Sequence, residues 1–237
     1  MTRIPKIVSR EDWMTARQAL LAKEKEFTRL RDELSQARRD LPWEEVTKEY
    51  QFEGPIGRES LSDLFAGRSQ LIVYHFMFGP DSSAGCPHCS FWADNFNGIV
   101  MHLNQRDVTM IAVSRAPYAR LEAYQKRLGW TFKWVSSGNT SFNFDYQASF
   151  TPEALSGKQA LFNYVQQDPG RPDREGVSVF FKDGSGRIYH TYSTYARGID
   201  VLNTAYNYLD LVPKGRDENG RGPFWVRRHD EYENAPI

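Results

Sequence analysis

The sequence predicts an α/β fold around a largely parallel sheet, and three observations carry that expectation. Leu71 to Phe78 is an apolar run rich in β-branched and aromatic residues, as a buried strand requires, and Val108 to Val113 is a second. Each precedes a helical pattern, Phe91 to Leu103 after the first and Tyr118 to Leu128 after the second. Strand–helix–strand–helix implies parallel pairing through right-handed crossovers. Val177 to Phe181 and Arg187 to Tyr192 then flank the turn Lys182-Asp183-Gly184-Ser185-Gly186, a hairpin signal followed by a closing helix over Arg197 to Leu209.

In chain order, Arg10 to Asp40 reads as one long helix. Trp13, Leu20, Phe27, Leu34 and Leu41 stand seven apart, with Ala16, Leu30 and Ala37 between them, and Lys23 interrupts the intermediate row. Such a stripe is either an amphipathic face packed on its own domain or the seam of a homodimer. Leu41-Pro42 ends it, because the residue before proline disfavours the helical region. Val46 to Phe52 is expected as a strand, Glu53 to Gly57 as a turn, and Ser60 to Phe65 as a short helix leading into the central strand. Trp130 to Val135 is expected as a short edge strand. From about 136 to 176, Pro152, Gly157, Pro169, Gly170 and Pro172 break any period, so this stretch reads as an irregular insertion, either a functional loop or a partly disordered one. The resulting division is a helix over 1–42, a domain over 43–213 and a charged tail over 214–237, in which Phe224-Trp225-Val226 is expected to dock.

The chemistry sits between the first strand and its helix. A polar loop, Gly79 to Gly85, leads into Cys86-Pro87-His88-Cys89. With Cys86 as the cap and Pro87 as the first helical residue, proline's missing N–H costs nothing. Cysteines three apart on a first helical turn share a face, and their Cα atoms fall within the ~4.4–6.8 Å that a disulfide allows. Free N–H groups at the helix start favour thiolate at Cys86, and His88 adds a hydrogen bond or positive charge. Cys86 therefore reads as the nucleophile and Cys89 as the resolving thiol.

The runs SLSDLFAGRSQLIVYHFMFG, CPHCSFWADNFNG, VTMIAVSRAPYARLEAYQKRLGW and HTYSTYARGIDVLNTAYNYLDLVPKGRDE together resemble a bacterial domain-of-unknown-function family. Its members are thioredoxin-like and often labelled predicted dithiol-disulfide isomerases, and the likeness spans about Trp13 to Tyr232. The resemblance implies a thioredoxin-like fold with a peroxiredoxin-like entry and dithiol–disulfide exchange, without naming a substrate. It places His75 near the buried acidic group with which thioredoxins handle the second cysteine's proton, a role weighed against that of a satisfied core histidine. Trp92 is expected beneath the active-site helix. Thioredoxins also carry a cis-proline before the strand that faces the cysteines; here the junction reads Arg174-Glu175-Gly176-Val177, the nearest proline, Pro172, is too early, and Gly176 and Val177 are the candidates for that place. A thiol peroxidase would instead use a proline and a hydroxyl upstream of its cysteine, here Pro80 and Ser83, with Arg115 as a partner for peroxide.

Composition narrows the field. Lys+Arg and Asp+Glu balance at 30 each over 237 residues, so nothing points to nucleic acid or an anionic membrane. The two cysteines cannot make an extracellular disulfide framework and supply half of a zinc site, and the histidines lack finger spacing; no metal and no cofactor are expected. The N-terminal stretch has no apolar signal core and no apolar run reaches membrane-spanning length, which makes the cytoplasm the expected location. The expected partner is a thiol or disulfide substrate, a protein among the candidates. The rival reading is a redox-silent binding module of the same fold.

Overall fold

The computed structural model describes residues 6–233. Contacts divide the chain into Met1–Pro42 and Trp43–Ile237. The first unit is a 30-residue helix, α1 (Arg10–Arg39), none of whose residues is buried. Ser9 caps it by accepting the Asp12 N–H at 3.1 Å, with Glu11 and Asp12 in the first turn and Arg38 and Arg39 in the last, all matched to the helix dipole. Trp13, Leu20, Phe27 and Leu34 are exposed along it.

The second unit is built on an eight-stranded sheet, ordered β1-β10-β9-β4-β5-β6-β2-β3. Its entry is β1 (Glu44–Glu45), β2 (Gln51–Gly54) and β3 (Gly57–Ser60), with a single turn of 3-10 helix at Asp63–Phe65 before β4 (Gln70–His75). Then follow α2 (Pro87–Ala93), α3 (Phe96–Asn104), β5 (Val108–Ser114), α4 (Tyr118–Arg127) and β6 (Lys133–Ser136). After α5 (Phe142–Asp145), α6 (Pro152–Ser156) and the small hairpin of β7 (Ala160–Phe162) and β8 (Val165–Gln167), the chain enters β9 (Gly176–Lys182) and β10 (Ile188–Tyr195). It closes with a 3-10 stretch, Ala196–Leu202, and α7 (Thr204–Leu209). β4 pairs in parallel with β5 and antiparallel with β9, and β9 with β10. The order β5-β4-β9-β10, with helices between β4 and β5 and a helix after β10, is the thioredoxin-like arrangement, here extended by β6 and by the β2–β3 hairpin.

Several expectations change. The strand expected over Val46 to Phe52 begins only at Gln51, where β2 starts and pairs with β3; before it Lys48 reaches Asp145 at 2.7 Å and Tyr50 turns inward against Phe142 (5.1 Å between rings), and β1, which pairs with β10, precedes the expected span. Phe91 to Leu103 breaks into α2 and α3 at Asp94-Asn95, where the Asn95 side chain donates to the carbonyls of Phe91 and Trp92. β6 is an inner strand, since Ser136 also pairs with Glu53 of β2. The irregular stretch folds into α5, whose Phe142 joins the cluster with Phe52 and Phe180, and into α6 and the β7–β8 hairpin around Phe150, Phe162 and Tyr195.

Both faces of β4 are covered. Ile72, Tyr74 and Phe76 face one apolar cluster with Cys89, Trp92 and Phe96 of the cysteine helices and Leu121 and Tyr124 of α4. Leu71 and Val73 face the other, with Phe52, Leu64, Phe65, Phe142 and Phe180. Each such side chain, fully buried, contributes about 1.5–3 kcal/mol of transfer free energy.

Candidate active site at the head of the cysteine helix

β4 delivers the chain to the site and hydrogen bonds hold it there. Beyond His75, the Phe76 N–H donates to the Val113 carbonyl at 2.9 Å and its own carbonyl accepts the Ser114 hydroxyl at 2.7 Å. The loop then doubles back. The Cys86 N–H donates to the Met77 carbonyl (3.1 Å), and the Met77 N–H donates to Cys89 Sγ (3.4 Å). Gly85 allows that return, because a Cβ there would lie 2.8 Å from Phe76 Cε1 and 3.0 Å from Tyr124 Cε1. The Gly85 carbonyl accepts Arg228 Nη2 at 2.8 Å, so the C-terminal segment ties down the residue before the first cysteine.

Cys86 is the N-cap of α2 with extended backbone (φ −61°, ψ 130°), and Pro87 opens the helix, where its fixed φ suits the first turn. Cys86 is half-buried and Cys89 fully buried, and both thiols are free. Hydrogen bonding from the Cys89 thiol lowers the Cys86 pKa from 9.0 to about 6; burial opposes this, while the Cys89 N–H and the nearby His88 charge assist. The Cys89 thiol is pushed well up, by burial first and then by Cys86. One sulfur is thus set up to be a thiolate and its neighbour to keep its proton.

Two openings reach the pair. Cys86 lines a cavity of about 280 Å³ with Met77, Pro80, Ser82, Arg115 and Arg171. Arg115 Nε is held there by Asp173 at 2.8 Å. Cys89 and His88 line a cavity of about 800 Å³ that extends past Tyr74 and Trp92 to Arg174, Glu175 and the C-terminal segment. Trp92 lies under the helix, its indole N–H donating to the Ile199 carbonyl at 2.9 Å and its ring packed on Phe91 and Tyr206. Ser83 is exposed and lines neither cavity; its neighbour Ser82 lines the Cys86 cavity instead.

His75 is placed away from the cysteines, which favours the core-histidine reading over the proton-handling role beside Cys89. Its ring stacks on Phe142 across the sheet, and Nε2 lies 2.8 Å from Ser178 Oγ. Burial, then the charge of His190, lower its pKa to about 3, so it is a neutral core imidazole. One residue earlier, Tyr74 points to the cysteine face. It is fully buried beside Cys89 and its hydroxyl has no partner in bonding geometry. Burial, then the neighbouring Cys89, push the pKa of that phenol well up. Glu175, just before β9, faces the same two groups, its charge raising the pKa of both. The strand begins at Gly176, where a Cβ would lie 2.3 Å from the Tyr195 ring. Tyr74 and Glu175 were the residues that sequence reasoning passed over; the period-two alternation with Phe76, itself on the helix-covered face, is the signal that finds Tyr74. Among the described residues no cluster of three or more His, Cys, Asp or Glu could hold a metal ion, and no helix is long and apolar enough to cross a membrane.

Solved structures similar to this chain include peroxiredoxin Q from Xanthomonas campestris, at 17% identity and a TM-score of 0.48 over 70% of this chain and 96% of that one. Peroxidoxin BcpB from Mycobacterium tuberculosis is similar at 10% identity and 0.46, over 68% and 93%. Peroxiredoxin 6 of Arenicola marina is similar at 14% and 0.45, over 68% and 70%. No curated protein matches the sequence. Residues 2–232 match the family described as "Bacterial protein of unknown function (DUF899)", and the chain belongs to that family.

Proposed function

We propose that this protein is a thiol–disulfide oxidoreductase working through Cys86 and Cys89. The observation that carries the reading is the pairing of a half-buried Cys86, its pKa lowered to about 6 at a helix N-cap, with a buried Cys89 that stays protonated. The Cys86 thiolate attacks a substrate disulfide; the substrate S–S bond breaks, a mixed disulfide forms, and the departing sulfur takes a proton. Cys89 then loses its proton and attacks Cys86 Sγ. The second substrate thiol leaves, Cys86 and Cys89 become a disulfide, and the substrate has gained two electrons. Pro87 fixes the helix start, and His88 adds charge near the attacking sulfur. The test is insulin reduction in dithiothreitol. Wild type should accelerate it and Cys86→Ser should not; equal rates would leave a redox-silent binding module.

A second reading, thiol peroxidase, is favoured by one observation. Cys86 and Arg115 line the same small cavity, and Asp173 fixes the guanidinium beside it. Peroxide would take the thiolate to a sulfenic acid, releasing water, and Cys89 would condense with it, releasing a second. Consumption of hydrogen peroxide by the reduced protein, lost in Cys86→Ser and in Arg115→Ala, distinguishes this from disulfide exchange.

A further inference from the structure

The larger cavity has a polar lining that the fold itself does not use. Most charges around it are engaged: Arg216 pairs with Asp210 at 2.7 Å and with Asp200 at 3.2 Å, and Glu218 accepts the Tyr206 hydroxyl (2.7 Å) and the Trp225 indole N–H (3.0 Å). Three are not. Arg171, Arg174 and Glu175 have no ion-pair partner among the described residues. Arg174 Nε is buried without an acceptor, its guanidinium stacked 4.7 Å from the Phe162 ring centroid, and the fully buried Tyr74 hydroxyl is also unsatisfied. Buried donors without partners are costly, on the order of 1–3 kcal/mol each, and a guanidinium in a cavity wall with no carboxylate of its own suits an acceptor from outside.

The position of the cavity says what those acceptors are attached to. Cys89, 1% exposed in the reduced protein, and His88 line it; Cys86 opens on the smaller cavity, and Arg171 lines both. From these observations we infer that the larger cavity binds a small thiol bearing carboxylates, which reduces the Cys86–Cys89 disulfide by attacking it from the Cys89 side. Two unpaired guanidinium groups suit carboxylates, and Glu175 suits an ammonium on the same molecule. A thiolate seated there attacks Cys89 Sγ, the Cys86–Cys89 bond breaks, and Cys86 departs as thiolate. That direction is favoured because a sulfur of low pKa leaves faster. A second thiol molecule attacks the mixed disulfide at the small thiol's sulfur, giving the oxidised small disulfide and returning Cys89, which takes a proton. Two thiols are oxidised and one protein disulfide is reduced. The inference rests on the oxidoreductase reading above and names the reductant for it.

The experiment oxidises the full-length protein and measures its reduction by mercaptosuccinate, 2-mercaptoethanol and cysteamine near neutral pH, each rate divided by the thiolate concentration present. Wild type should favour mercaptosuccinate over 2-mercaptoethanol by about tenfold, with cysteamine slowest. Arg171→Ala, at an exposed position, and Arg174→Gln should each bring that ratio toward one. Early acid quenching and peptide mapping should find the mercaptosuccinate adduct on Cys89. Equal rates across the three thiols in wild type, a preference that survives both substitutions, or adducts on Cys86 alone would overturn the inference. Insulin reduction by uncharged dithiothreitol runs alongside. If it persists in wild type while charge selectivity is absent, the small-thiol site fails and the oxidoreductase reading stands; if it is absent too, that reading fails.

Discussion

At the scale of single residues, the reactivity of Cys86 rests more on its partner than on the histidine between them. The Cys89 thiol is the largest influence lowering its pKa, and the His88 charge ranks behind the Cys89 N–H. Cys89→Ala should therefore raise the pH midpoint of Cys86 alkylation further than His88→Leu does, and a larger shift in the histidine variant would reverse the order of causes. The sequence made the two cysteines legible because their spacing and the following proline are local signals. It did not make the proton environment legible. β4 is covered on both faces, so apolar residues run continuously and no polar face fixes the phase of the alternation. A slip of one position exchanges Tyr74 for His75, and with it a hydroxyl beside Cys89 for an imidazole stacked on Phe142.

At the scale of elements, the reading succeeded where periodicity is long and failed where side chains interrupt it. α1, β4, β5, α4 and the β9–β10 hairpin are close to the expected spans. The closing helix was expected as one piece over Arg197 to Leu209. It is instead a 3-10 stretch and α7, divided at Asn203, whose side chain accepts the Tyr206 N–H at 2.9 Å and so starts a new helix. The charged tail was legible as a tail with Phe224-Trp225-Val226 as its docking stretch, but the partners of that stretch were not, because they are long-range. Trp225 packs on Phe91 at 5.4 Å, and Arg228 reaches the Tyr124 hydroxyl at 2.7 Å as well as Gly85. The homodimer seam on α1 is a proposal at this scale. Its stripe, Trp13, Leu20, Phe27 and Leu34, is exposed on a helix with no buried residue, and a seven-residue apolar repeat is the pattern that pairs helices. Light scattering should give a dimer for the intact chain and a monomer after deletion of residues 1–41. A monomeric intact chain removes the proposal.

At the scale of the whole molecule, the dithiol is coupled to the stability of the sheet that carries it, since Met77 of the chain leaving β4 bonds to both cysteines. In the reduced protein the Cys86 pKa falls from 9.0 unfolded to about 6 folded. The unfolded state therefore binds more protons between those values, and the stability of the reduced form rises with pH across that window, by at most ~1.4 kcal/mol per pH unit. The contribution is fully present above the unfolded value and lost as pH falls through about 6. Cys89 acts in the opposite sense, because its folded pKa lies above 9.0; the unfolded chain releases that proton first, so stability declines again at higher alkalinity. The disulfide form has neither proton to exchange. Denaturant unfolding of both redox forms from mildly acidic to alkaline pH isolates the pair, because the other titrating groups are common to both and cancel in the difference. That difference should shift in favour of the reduced form as pH rises from about 6 toward 9.0, then turn back. A difference independent of pH would mean that folding leaves the acidity of Cys86 unchanged, and the case for it as the attacking sulfur would lose its physical basis.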